Sequence, residues 1–123
     1  LDGDIDSQLR VSSQGALTFI HAHGDNQELI MRYAGMFRGP VVLTTQSKPE
    51  NTVSDFGGFT DGDRAVCICE EFGVRKIILD GFDFGHPNPK PGSDPSVKLR
   101  KLVWARRIID IVGGRVQIVR PKN

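Results

Sequence analysis

Asp2, Asp4 and Asp6 open the chain at a spacing of two, with Gly3 between the first pair. Alternate residues of a strand share one face, so an extended reading brings the three carboxylates to one point. Carboxylates gathered this way repel one another unless a cation joins them. A hard divalent ion, Mg²⁺ above all, takes carboxylate oxygens and leaves positions open for water and phosphate. The other reading of the same residues is a solvated acidic turn of the D-G type.

Further groups with chemical potential lie at intervals along the chain. His21, His23, Asp25 and Asn26 close one apolar run. Thr44, Thr45, Gln46, Ser47 and Lys48 close a second, and Asp80 and Asp83 a third. In Gly57-Gly58-Phe59-Thr60-Asp61-Gly62-Asp63-Arg64, glycines precede a helix start, where backbone N–H groups and the helix dipole attract anions. Asp61 and Asp63 oppose a bare phosphate there, so Gly58, Thr60, Asp61 and Asp63 serve either as helix caps or as ligand contacts. Arg64 suits a phosphate or a pairing with Asp61. Lys98 and Lys101, three apart on a helix, share a face and suit phosphate oxygens or plain solvent. His21, inside an apolar run, reads as a hydrogen-bonded structural histidine. Neither it nor His23 has a serine or cysteine at a nucleophile's spacing. The sequence holds no G-x-G-x-x-G and no G-x-x-x-x-G-K-[ST], so any nucleotide is held by metal and scattered loops.

The elements that position these groups follow from periodicity. Residues 16–22, 41–45, 75–80 and 116–119 are short apolar or β-branched runs and predict strands. Asp25 or Asn26 caps a helix whose inner face carries Leu29, Ile30, Tyr33, Ala34 and Phe37 and which ends at Gly39-Pro40. Thr60 with Asp63 predicts a capped helix to Gly73, with Ala65, Val66, Cys69 and Phe72 inward. A longer helix runs from Ser96 to about Val112, with Leu99, Leu102, Val103, Ile109 and Val112 on or near one face. Residues 46–60 read as a polar loop. Strands alternating with helices predict an α/β fold: a three-layer, mostly parallel sheet, helices on both faces, ligands at the strands' carboxyl ends.

At 123 residues the chain predicts a single domain. A net charge of +1 gives no global field for nucleic acid, and no apolar run approaches a membrane span. Cys67 and Cys69 point about 200° apart on a helix and do not pair. They read as reduced packing residues of a cytoplasmic protein.

Taken in order, the motifs Asp2-Gly3-Asp4-Ile5-Asp6, His21-Ala22-His23-Gly24-Asp25-Asn26, Thr44-Thr45-Gln46, residues 56–64 and Gly81-Phe82-Asp83-Phe84 resemble a known family. They look like archaeal 6-hydroxymethyl-7,8-dihydropterin pyrophosphokinases of the MptE type. The likeness reaches from the first residue to Lys98-Leu99-Arg100-Lys101. The family is similar in fold to thiamin pyrophosphokinases, whose G-D-x-D-S resembles Gly3-Asp4-Ile5-Asp6-Ser7. The resemblance implies that ATP gives its β,γ-diphosphate to the hydroxymethyl oxygen of a reduced pterin, with Mg²⁺ required, in a pathway to tetrahydromethanopterin or folate-type carriers. It implies Asp4 and Asp6 as Mg²⁺ ligands, Asp2 as a weaker one, and Asp25 as a further metal or phosphate-shell carboxylate. It leaves room for a homo-oligomer. Family members carry a further segment before the acidic motif, so it also implies sequence upstream of Leu1.

Substrate roles follow from chemistry alone. Asp80 or Asp83 suits the amino-pyrimidine edge of a pterin, with Asn26 or Gln46 assisting, and His23 and Thr45 are further candidate substrate or cofactor contacts. Phe56, Phe59, Phe82 or Phe84 suits its ring. Two other functions fit the same residues: a diphosphotransferase acting on thiamin, and a sugar-nucleotide domain of a glycosylation protein.

Overall fold

The computed structural model describes residues 1, 4–87 and 91–122. Asp2, Gly3 and Lys90 therefore lie outside the described residues. The chain divides into two compact units, Leu1–Asp55 and Phe56–Asn123.

The first unit opens on helix α1, Ile5–Ser13, not on a strand. The extended reading of Asp4 and Asp6 is thereby corrected. Asp4 stands at the N-cap and Asp6 in the first turn, where acidic residues are favoured by the helix dipole. Aspartates two apart are as natural at a helix start as on a strand face. Three parallel strands follow: β1 (Thr18–Ala22), β2 (Val41–Thr45) and β3 (Val53–Ser54), in the order β1-β2-β3. Strand β1 pairs with β2 from Thr18↔Val41 to Ala22↔Thr45, so both strands end level. Their crossover is helix α2, Gln27–Tyr33, continued by a 3-10 turn at Ala34–Met36. Strand β3 lies inside the stretch that reads as loop. Two residues are too few to show a period, and only pairing with β2 makes them a strand. The buried Ser12 hydroxyl accepts the N–H groups of Arg38 at 2.9 Å and Gly39 at 3.1 Å, so α1 satisfies the loop that enters β2.

In the second unit, helix α3 (Asp61–Glu71) and helix α4 (Pro95–Gly113) accompany strands β4 (Lys76–Ile78) and β5 (Gln117–Val119). These strands also pair in parallel, Ile77 against Ile118. The α/β class and parallel pairing thus hold. The described strands form one three-stranded and one two-stranded sheet. Asp94 caps α4 by accepting the Ser96 N–H at 2.8 Å, with Pro95 at the first helical position. Val66, Leu79, Ile109, Val112 and Val116 form the core, with Phe84 and Cys67 packed against it. Ala105, Ile109 and Val112 are the buried stripe of α4, whereas Leu99 and Val103 are 42% and 50% exposed. The inner face therefore follows 105-109-112, rotated from the face that would also hold 99 and 103. On α3, Val66 is buried but Ala65 and Phe72 are exposed. The ring of Phe72 lies tilted against Phe56 with centroids 5.9 Å apart.

No helix among the described residues is long and apolar enough to cross a membrane. Ile109 is fully buried and Ile111, two residues on, is 61% exposed. Ile109→Ala should cost about 3 kcal/mol in urea unfolding, and Ile111→Ala about 0.5 kcal/mol or less.

Candidate functional site

In the first unit the polar residues gather where β1 and β2 end together. His21 Nδ1 lies 2.9 Å from the hydroxyl of Thr44, its register partner, and Thr44 is buried. The chain then turns back through Gly24. That turn is held from inside by Asn26, which is 2% exposed. Its Nδ2 donates to the His21 carbonyl at 2.7 Å, and its Oδ1 accepts the His23 N–H at 3.0 Å. Asn26 occupies the N-cap position of α2, yet its amide reaches backward to the strand and makes no cap hydrogen bond. Its polar atoms are thus engaged inside the fold, which argues against the direct substrate contact read from sequence.

Outside this clamp the groups are exposed. Asp25 bonds the Nδ1 of His23. It also lines an open cleft of about 740 Å³ together with Gly24, Gln27, Glu28, Met31 and Arg32. Thr45 accepts the Ser47 N–H at 3.2 Å, and Gln46 is exposed beside it. At the opening of the chain, Asp4 Oδ1 accepts from Gln8 Nε2 at 2.6 Å, and both Asp4 and Asp6 are exposed. Their oxygens are the hard donors that suit Mg²⁺, which is commonly held by one or two carboxylates plus substrate phosphates. Among the described residues no three His, Cys, Asp or Glu side chains gather around a common point.

The second unit has its own clamp. Gly57 and Gly58 both take positive φ. At Gly58 a Cβ would lie 2.4 Å from the Arg64 Cα, so only glycine lets the loop pass over α3. Asp63 is fully buried at the third helical position. It accepts the N–H groups of Phe59 and Thr60, the latter at 2.8 Å, and the Thr60 hydroxyl. The capping reading of Thr60 and Asp63 is therefore realised, and Asp63 is fully engaged within it. Arg64, also buried, reaches the exposed Asp61 carboxylate at 3.0 Å. Of the two roles open to Arg64, the ion pair is the one formed.

After β4, Asp83 accepts the N–H groups of Gly85 at 2.8 Å and His86 at 3.1 Å and meets the His86 ring at 2.9 Å. Those bonds, the Gly85 amide first and the His86 ring next, hold its carboxyl below the usual range. His86 was not singled out from sequence, although the D-x-x-H spacing in a loop was visible. Lys98 is half-buried in the first turn of α4 and Lys101 is exposed one turn on.

The chain resembles archaeal pyrophosphokinases of a reduced pterin. A Methanothermobacter thermautotrophicus protein named 6-hydroxymethyl-7,8-dihydropterin pyrophosphokinase is 40% identical over 89% of this chain and 51% of its own length. Proteins of the same name from Methanocaldococcus jannaschii and Pyrococcus furiosus are 32% and 38% identical over 96% and 97% of this chain, each with 54% of its own length covered. The chain thus spans about half the length of the curated relatives it matches. No family model matches the chain. No solved structure matches it either.

Asn26→Ala removes both partners of a buried turn and should cost about 2–4 kcal/mol, since a carbonyl and an N–H are left unpaired. Thermal unfolding checks this. Asp83 has a lowered carboxyl pKa, so its contribution is present above the usual carboxylate range and lost as pH falls through the lowered value. The protection of the Gly85 and His86 amides, taken relative to the intrinsic exchange rate at each pH, should therefore fall on acidification in the parent and be low at all pH values in Asp83→Ala.

Proposed function

We propose that the protein transfers the β,γ-diphosphate of ATP to the hydroxymethyl oxygen of 6-hydroxymethyl-7,8-dihydropterin and releases AMP. The observation that carries this reading is the 32–40% identity, over 89–97% of the chain, to three proteins bearing that activity as their name. The polar residues at the ends of parallel strands support it, because such ends are where α/β folds take their ligands.

Attack on the middle phosphorus needs charge neutralised on several oxygens and no protein nucleophile. Asp4 and Asp6, with Asp2, would hold Mg²⁺, which when bound neutralises phosphate charge and orients the triphosphate. Lys98 and Lys101 would neutralise further phosphate oxygens. Arg64, which meets Asp61 at 3.0 Å, offers a further guanidinium at the start of α3. Asp25, oriented by His23, presents a carboxylate at the open cleft beside α2. Thr45 and Gln46 offer polar contacts beside the end of β2, and Gly58 and Thr60 shape the approach to α3. The acceptor's amide-like edge calls for paired donors and acceptors, and its flat ring calls for an aromatic surface. The reading also carries three expectations: a three-layer catalytic domain with helices on both faces, a cytoplasmic setting, and small-molecule substrates with no nucleic-acid or membrane partner and with room for a homo-oligomer.

The test is AMP release by the whole protein supplied with ATP, Mg²⁺ and the hydroxymethyl pterin, resolved by chromatography. Turnover should require all three, and Asp6→Asn should lower it on the order of a hundredfold while circular dichroism stays unchanged. Lys98→Ala should lower it less. Turnover with thiamin in place of the pterin, or equal turnover by Asp6→Asn at limiting Mg²⁺, would contradict the reading.

A further inference from the structure

Phe82 occupies a place that the fold makes for it. A Cβ at Gly62, in the first turn of α3, would fall 2.7 Å from the Phe82 Cε1 and 3.0 Å from its Cζ. The ring edge therefore lies directly against the bare backbone of that turn, and any other residue at position 62 displaces it. Phe84 stands beside it, centroids 5.9 Å apart and planes tilted by 46°. The next residue, Asp83, fastens the turn that carries the ring through the N–H groups of Gly85 and His86. Although fixed on two sides, Phe82 remains 42% exposed, so part of the held ring is open to contact. Of the other aromatic candidates, Phe59 is 49% exposed on the loop that Asp63 holds before α3, and two are packed against other groups. Phe56 is paired with Phe72. Phe84 packs on the core and lies beneath the Arg120 guanidinium, 5.5 Å from its centroid. The loop from 81 to 86 follows the carboxyl end of β4, the end at which parallel strands present ligand contacts.

We propose that Phe82 is the surface on which the flat acceptor ring stacks, and that Gly62 is the specificity-determining residue that seats it. The inference rests on the pterin reading above and narrows it to one aromatic residue and its support. Stacking of a heteroaromatic base on a protein ring is worth enough that its loss weakens binding about tenfold or more.

The experiment titrates the whole protein by calorimetry with 6-hydroxymethyl-7,8-dihydropterin under reducing conditions, and separately with ATP and Mg²⁺. Phe82→Ala should weaken pterin binding about tenfold and leave ATP binding unchanged, while Phe82→Trp stays within about twofold of the parent. Gly62→Ala should reproduce the loss, although alanine is the better helix former, and should add nothing further in the Phe82→Ala background. If Phe82→Ala does not fold, Phe82→Leu takes its place, with the same expected loss. Pterin binding that is unchanged in the Phe82 variants, or a Gly62→Ala effect that persists in full without Phe82, overturns this inference alone. A parent that binds ATP but no pterin overturns the acceptor reading and this inference with it.

Discussion

The backbone at the end of a parallel strand loses its ladder partners at the point where a ligand-binding loop begins. Its N–H and C=O groups must then be satisfied by something else. Here Asn26 does that work after β1, and Asp63 does the like for the loop N–H groups that lead into α3. Asn26 bridges the His21 carbonyl and the His23 N–H. Asp63 gathers the N–H groups of Phe59 and Thr60. Both are among the least exposed residues of the chain. A buried polar group is tolerated only when its hydrogen bonds are made, so each turn has one arrangement that satisfies the clamp.

That constraint sorts the polar residues into two kinds. Asn26, Asp63, Thr44 and Arg64 are buried and define loop shape. Asp4, Asp6, Asp25 and Asp61 are exposed and presented by the shaped loops and helix ends. His23 belongs to both, since its main chain is clamped by Asn26 and its ring bonds Asp25.

Much of this frame is legible in the residues. Val41–Thr45 is β-branched and apolar, and it is a strand over just those residues. The Thr60/Asp63 spacing announces a capping box that the fold contains. The extended reading of Asp4 and Asp6 fails because spacing two also arises when one Asp precedes a helix and another enters its first turn. Strand β3 is too short to carry a signal of its own. Asn26 looked like a cap or a ligand group because its true partners, on the strand behind it, appear only once the chain has turned. Gly62 gave no sign of its purpose, since Phe82 is twenty residues away in sequence. In each case the missing information was a contact made only by the folded chain, not a local preference.

Native-state hydrogen exchange on the backbone amides of His23, Phe59 and Thr60 tests the clamp account most directly. If Asn26 and Asp63 fix these turns, all three amides exchange as slowly as those of β1 and α3, although they lie in loops. Exchange at the rate of an open loop would show that neither side chain holds its turn, and the division between shaping and presenting groups would fall.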